Sequence, residues 1–359
     1  MKPYIICIGL LFFLSCVKSD PNRLIIDLDQ SEESIKYSTF IDSISYIELN
    51  TKDTCLLSDI EKIYIDNDTI LVWDKKEAGI LTFNSSGELI KQINYYGKGP
   101  QEFITISAFC IDPERNIIYI WDYPSQRINK YTYSGEFIGY DKSDSFVRDF
   151  TVLGNEDKLC ILPFYSKYSP YGIWISDINN KTIREFNIPI PIDDQVEFSG
   201  TYYNVDNDSI FIYDRNFDNL YKIVNDSISV TYSFDVKQVL ARHLRKKDPS
   251  SLLPFKGIAY MSNFSISANY LLQTYYYYNI DNPYRWVLLN RKDNKLSICE
   301  HLVNDIDFVE TEYPHIYYIK NDMWCRVVET DVNNCNMLLQ LLHTVSYTHL
   351  RAHETPEHL

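Results

Sequence analysis

Apolar and polar residues alternate along this chain in short runs, four runs to a unit, and the unit repeats. The clearest unit holds Ile60 to Asp66, Thr69 to Asp74, Gly79 to Asn84 and Glu88 to Ile93. The same order returns in Ile106 to Asp112, Ile117 to Asp122, Ile128 to Tyr133 and Glu136 to Tyr140. β-Branched and aromatic runs of this length, bounded by Asn, Asp, Ser and Gly, predict strands, and the Ser-Gly pairs between the third and fourth runs predict tight hairpins. Weaker copies follow at 150–186, 202–234, 264–300 and 308–342. In the last, the expected strands are Phe308 to Thr311, His315 to Ile319, Trp324 to Val328 and Met337 to Leu342. Second strands recur at about 40 to 60 residues, the spacing of propeller blades.

The predicted fold is therefore all-β: a six-bladed β-propeller of four-stranded antiparallel blades, closed by an N-terminal strand. Ring closure removes the unpaired edges that an open array would carry. Ser45 to Leu49 is the expected closing strand, and Leu24 to Leu28 is a further short strand before it. One stretch breaks the pattern. Asp235 to Lys247 has apolar residues at Val236, Val239, Leu240 and Leu244, near helical spacing, and carries the basic cluster Arg242, Arg245, Lys246 and Lys247. It reads as a helical insertion with a solvated face.

The two ends differ from the middle. Lys2, the apolar run Tyr4 to Leu14 and the segment Phe13-Leu-Ser-Cys16 form a signal segment too short to span a bilayer, which needs about 20 residues. Residues 1–16 read as a signal peptide, 17–40 as tether and entry strand, and 41–342 as the propeller. At the other end, 343–359 holds four of the seven histidines. It lacks strand alternation and resembles translated adapter read-through, so a non-native tail is expected there.

Composition narrows the partners. The formal net charge is −15, which argues against a phosphate backbone as ligand. The 30 Tyr and 18 Phe suit half-buried sheet surfaces. Outside the signal segment the cysteines are Cys55, Cys110, Cys160, Cys299, Cys325 and Cys335; no C-x-x-C occurs, and buried thiols are expected rather than a zinc site.

Motifs that carry chemistry are scarce. Gly97-Lys-Gly99 is followed by Pro100 and not by a helix, so it is not a phosphate loop. Asp66-Asn-Asp68, Asp112-Pro-Glu and Asp206-Asn-Asp208 lack the length and terminal Glu of a calcium loop and read as Asx turns. Asp42-Ser-Ile, Asp68-Thr-Ile, Asp208-Ser-Ile and Asp226-Ser-Ile resemble a bacterial O-glycosylation acceptor, although a turn entering a strand gives the same three residues. Glu102, Arg148, Asp149, Tyr202, Asn263 and Glu310 each precede or open an expected inner strand and are the candidate ligand-binding residues of the channel mouth.

Together the lipobox-like Cys16, Ser43-Ile-Ser-Tyr-Ile-Glu-Leu49, Gly97-Lys-Gly-Pro-Gln-Glu-Phe103 and the strands ending in Trp-Asp resemble the six-bladed β-propeller lipoproteins of Gram-negative bacteria, relatives of the NHL and TolB-like propellers. Here Gln101 stands where that family usually has a third glycine. The resemblance implies lipidation at Cys16, a place in the cell envelope at the outer membrane, attachment to the membrane through the lipid, and no cofactor. A monomeric binding or interaction scaffold for a glycan, peptide or envelope protein is expected. The alternative is a metal-dependent hydrolase or lyase using channel carboxylates, with Ca as its metal.

Overall fold

The computed structural model describes residues 22–51, 57, 59–76, 79–142, 147–153, 158–163, 172–177, 182–187, 201–206, 209–214, 219–224, 227–238, 259–277, 282–309, 318–320, 322–329 and 337–344. It is a six-bladed β-propeller. Three strands, β1 (Arg23–Ile26), β2 (Glu32–Lys36) and β3 (Ile41–Leu49), come before the blades. Blade one is β4 (Ile60–Asp66), β5 (Thr69–Asp74), β6 (Gly79–Asn84) and β7 (Leu89–Ile93). Blade two is β8 (Ala108–Asp112), β9 (Ile117–Asp122), β10 (Arg127–Thr132) and β11 (Phe137–Lys142). Blade three is β12 (Val147–Val152), β13 (Lys158–Pro163), β14 (Gly172–Asp177) and β15 (Thr182–Asn187). Blade four is β16 (Thr201–Asp206), β17 (Ser209–Asp214), β18 (Asn219–Val224) and β19 (Ser227–Val236). Blade five is β20 (Ala259–Ile266), β21 (Tyr270–Tyr277), β22 (Tyr284–Asn290) and β23 (Lys295–Val303). Blade six has three strands of its own, β24 (Tyr318–Lys320), β25 (Met323–Glu329) and β26 (Met337–Thr344), and β3 completes it as the outer strand.

That closure meets the expectation from Ser45 to Leu49, with a longer strand. The rest of blade six differs. Phe308 is not in a strand: it has φ of 62° and is 78% exposed, so a residue expected to open the inner strand sits in a left-handed bend on the connector. Asp235 and Val236, expected in a helix, end β19; the remainder of that stretch from Val239 lies outside the described residues. His343 and Thr344 pair with Ser43 and Ile41 in the blade-six sheet, so strand β26 ends two residues past Leu342, and 345–359 lie outside the described residues.

Residues 23–49 form a strap around the rim. β1 pairs in parallel with β19, extending blade four to five strands, and β2 does the same with β23 on blade five. Polar latches fasten the strap between these additions. Asp27 accepts from Lys237 Nζ and Gln238 Nε2, both at 2.7 Å, and Asp29 accepts from Tyr277 Oη at 2.9 Å. Further on, Ser38 donates its hydroxyl to Asp305 at 2.7 Å and Tyr46 to Asp307 at 2.6 Å. Tyr37 Oη accepts at 2.9 Å from Arg326, a guanidinium only 1% exposed. Ile26, Leu28, Tyr37, Phe40, Ile41 and Leu49 are all buried, so the strap is part of the core rather than an appendage.

The core itself is a ring of apolar clusters between blades. One joins blades one to three through Trp73, Phe109, Trp121 and Phe150, and others join three to four, four to five, five to six and six to one. Each sheet buries both faces against its neighbours, which is why the second strands read as near-continuous apolar runs. Cys110, Cys160, Cys299 and Cys325 are buried free thiols within it, as expected from the sequence. Of the Asp-Ser/Thr-Ile sites, Thr69, Ser209 and Ser227 open strands, and Ser209 is only 6% exposed.

Candidate functional site

Six inner strands, β4, β8, β12, β16, β20 and β24, surround the propeller axis. Strands within a blade alternate in direction. The connector entering each inner strand therefore opens on the same face as the turn between a blade's second and third strands. The mouth of the channel on that face is the candidate site.

The connector from blade one to blade two is built by its own residues. Phe103 is fully buried, with its ring 4.9 Å from Tyr96 and 6.2 Å from Tyr131. The Gly97 and Phe103 N–H groups donate to the Phe103 and Tyr95 carbonyls. Glu102 Oε2 accepts the Gly99 N–H at 2.8 Å, and a Cβ at Gly97 would lie 1.9 Å from that oxygen. The glycines thus make room for a carboxylate that caps its own loop. Asp122, the last residue of the Trp-Asp strand β9, is buried beneath the connector. It accepts the Ile104 N–H at 2.9 Å, the Thr105 N–H at 3.2 Å and the Ser125 hydroxyl at 2.6 Å. Asp74 plays the same part at blade one, accepting the Asp59 N–H at 2.9 Å and the Lys76 N–H at 3.1 Å. The Trp-Asp pattern is thus a fastening for the mouth loops.

The inner strands carry a second device. In β4 the pairing with β5 steps from Ile60 to Lys62, in β12 from Val147 to Asp149, and in β20 from Met261 to Asn263. Three alternate blades thus hold a bulge near the start of the inner strand, with Glu61, Arg148 and Ser262 as the extra residues. Bulges of this kind re-aim side chains and often stand beside binding sites. The residues that follow, Lys62, Asp149 and Asn263, resume the ladder. Asp149 Oδ1 accepts the Phe150 N–H at 2.9 Å, and Asn263 Oδ1 accepts the Phe264 N–H at 2.8 Å, the same local geometry in blades three and five.

In blade one that position is Lys62. Its ammonium donates to the Phe109 carbonyl at 3.1 Å and lies 3.2 and 3.3 Å from the two Asp149 oxygens. One side chain bridges three consecutive inner strands and passes the Tyr64 and Phe109 rings at 5.4 and 5.9 Å. Burial works against the charge, but Asp149, Tyr64 and Cys110 together outweigh it, so the Lys62 pKa is raised and the ammonium is held charged. The pair stays partly open, with side chains 18% and 30% exposed. Beside it, burial pushes the Cys110 thiol well up, so this cysteine is no nucleophile at neutral pH.

The profile of a family described as a domain of unknown function, DUF4934, matches residues 24–335, strap and six blades together. The chain belongs to the DUF4934 family. In structure this DUF4934 protein is similar to a Bacteroides fragilis protein assigned as exported, with a TM-score of 0.67 at 16% identity over 90% of this chain and 99% of that one. It is also similar to a DUF4221-family member from Bacteroides vulgatus, with a TM-score of 0.54 at 10% identity over 85% of this chain and 97% of that one. At these identities the likeness is one of fold. No curated protein is similar to the chain in sequence.

Among the residues expected at the mouth of this DUF4934 ring, the structure brings Asp149 into contact with Lys62 and sets Asn263 at the equivalent ladder position two blades on. Arg148 is the bulge residue of β12. Tyr202 lies in β16 opposite Tyr213. Glu102 is exposed and serves its own loop, and Glu310 lies outside the described residues. Lys62, Glu61 and Ser262 were not expected from the sequence. The common signal was available only as an Asp/Asn-Phe-Thr/Ser triplet in blades three and five, which blade one does not share. A calcium ion fits this cluster poorly, because Lys62 lies within 3.3 Å of both Asp149 oxygens. Among the described residues no group of three or more His, Cys, Asp or Glu is placed to hold a metal.

Proposed function

We propose that this DUF4934 protein is a lipid-anchored binding module of the cell envelope, and that its channel mouth receives a hydroxyl-rich ligand of the glycan class. The triple bulge carries the reading: in three alternate blades Lys62, Asp149 and Asn263 resume the inner-strand ladder after an extra residue, Glu61, Arg148 and Ser262 in turn. Lys62 holds Asp149, and Lys75 approaches Glu61 at 3.4 Å. A Lys-Asp pair beside an amide favours neutral hydroxyl groups, which both donate and accept, over a strongly charged ligand. The lipobox-like Cys16, the likeness to a protein assigned as exported, and the resemblance of the sequence motifs to NHL and TolB-like lipoproteins support the anchor and the envelope. No helix among the described residues is long and apolar enough to cross a membrane.

Two measurements test this. A panel of soluble polysaccharides is titrated by calorimetry against the wild type and a Lys62→Ala/Asn263→Ala double variant. Binding of a neutral glycan that falls at least tenfold in the variant supports the site; equal binding by both removes it. Labelled palmitate incorporated by expressing cells, and lost with Cys16→Ala, tests the anchor separately.

A further inference from the structure

Blades two and three meet across a face that is not wholly apolar. Phe109 turns its ring to Tyr64 and Trp73 of blade one, so Trp121, on the opposite side of the pleat, turns to blade three. Trp121 and Asp141 both pair with Ile128 and share that face, and Tyr119 and Lys130 pair with each other in its next row. In blade three, Phe150 and Trp174 both pair with Ile161, and Val152 and Ser176 both pair with Leu159, so these four also share one face. That face meets blade two: Phe150, Val152 and Leu159 lie in one apolar cluster with Trp121, and Trp174 packs against it. Ile173 and Ile175, which alternate with Trp174 and Ser176, join the cluster toward blade four instead.

Four side-chain atoms buried on the two facing surfaces make no hydrogen bond: Trp121 Nε1 and Asp141 Oδ2 from blade two, Trp174 Nε1 and Ser176 Oγ from blade three. Trp121 and Ser176 are fully buried. Asp141 Oδ2 lies 2.5 Å from Lys130 Nζ, so the carboxylate is ion-paired although it accepts no directed bond. A polar atom buried in this way is costly, and native interiors satisfy nearly all of them. That both blades contribute such atoms to one seam points to a shared occupant.

Their chemistry selects it. An indole N–H only donates, so the occupant accepts; a carboxylate only accepts, so the occupant also donates. A cation fails against two indole N–H groups and the Lys130 ammonium, and an anion fails against Asp141. The occupant is therefore neutral, both donor and acceptor, and small enough to be enclosed between two sheets. We propose that ordered water molecules fill the seam between blades two and three, accepting from Trp121 and Trp174 and bonding to Ser176 and Asp141. Internal waters make about three such bonds each, and this seam offers donors and acceptors from both blades. Water bonded to Trp121 also steadies the strand end whose next residue, Asp122, holds the connector. The proposal is independent of the glycan reading of the channel mouth.

The test uses the full chain, isotopically labelled at the indole nitrogens, with each Nε1–H resonance assigned from a Trp→Phe variant. Rotating-frame cross-relaxation reads contact between an indole N–H and long-lived water. Direct water cross-peaks are expected at both Trp121 and Trp174. Thermal unfolding of Ser176→Ala is the second measurement. Where water bonds the hydroxyl, its loss leaves that water short of a partner and the midpoint falls by about 1 to 3 °C. Where the seam is dry, removing an unbonded hydroxyl leaves the midpoint unchanged or raises it. Absence of the cross-peak at either indole, or a midpoint that does not fall in Ser176→Ala, overturns the proposal. So does a shift of the two indole resonances that saturates with added sulfate, which would mark an anion in the seam.

Discussion

Asp122 offers the sharpest check on how the channel mouth is held. Its carboxylate is buried and accepts three hydrogen bonds, two from the connector N–H groups of Ile104 and Thr105 and one from Ser125. A hydrogen bond to a charged acceptor contributes about 1.5–3 kcal/mol net. The donors are only partly buried, so water reaches some of them after truncation and the lower figure applies. Asp122→Ala is then expected to cost about 4.5 kcal/mol. Asn at this position keeps one acceptor but turns an NH2 toward a donor, and is expected to cost about 2–3 kcal/mol on the same basis. Asp68→Ala, in an exposed turn of the neighbouring blade, should stay within about 0.5 kcal/mol. Urea unfolding followed by tryptophan fluorescence reads all three, since Trp121 beside Asp122 is fully buried. Hydrogen exchange adds a local readout: the amides of residues 103–107 should lose protection in Asp122→Ala before the rest of the ring does. A cost below about 1 kcal/mol, or no local loss, would refute the idea that Asp122 fastens the connector.

Other outcomes follow from the same contacts. Gly97→Ala should cost less than about 1 kcal/mol, because its Cβ meets only the mobile end of Glu102, whereas Gly87→Ala should cost more than about 3 kcal/mol: there φ is +82° and the Cβ would lie 1.8 Å from the Glu48 carbonyl oxygen. Paired urea curves decide this, and equal costs would show that the strap does not press on that hairpin. Acid should loosen the strap before the blades. Lys237 and Gln238 lower the Asp27 pKa and Ser38 lowers that of Asp305; at Asp307 burial opposes but Tyr46, the Val309 N–H and Asn304 prevail. Folded pKa values below the unfolded ones give stability that is complete above about pH 4–5 and is lost as pH falls through the folded values. Exchange of residues 23–49 at pH 3 against pH 7 measures it, and unchanged protection at pH 3 would count against the latches. Native Cys110, Cys160, Cys299 and Cys325 should resist iodoacetamide at pH 8, burial having pushed Cys160 and Cys299 up to about 12; peptide mapping of the label would expose any that react.

How much of this was legible in the sequence depended on whether a feature recurs at a fixed period. Blades one and two were plain because their turns repeat: Gly87 and Gly135 both have φ near +83°, the conformation a Ser-Gly hairpin needs. Blade six was half legible. Its closing strand was found, but Phe308 has the residue character of a strand opener, and nothing local reveals its φ of 62° on the connector. β2 was invisible for a related reason. Glu32-Glu-Ser-Ile-Lys36 buries only Ile35, so it reads as a polar linker, and only the open edge of β23 makes it a strand. At the candidate site, Asp149 and Asn263 stood out in the sequence as Asx residues ahead of an expected inner strand, whereas Lys62 sits inside an ordinary alternating run. Its role comes from where Asp149 stands 87 positions later, which periodicity does not encode.

The bulges explain why the candidate site was harder to read than the fold. A bulge inserts one residue into one strand and leaves the hydrophobic pattern on either side intact, so the sequence records it only as a phase slip. This chain uses that device at two radii. Beside the axis it sets Glu61, Arg148 and Ser262 outside the ladder; in the outer strands the extra residues are Ile90, Ile138, Ile183, Thr231 and Asp42. Apolar and polar residues both occur among them, so no residue type marks a slip in advance. Lys62, the residue after the first inner-strand slip, therefore reads as one more polar position of an alternating run, although its ammonium reaches the Phe109 carbonyl and both Asp149 oxygens across three inner strands.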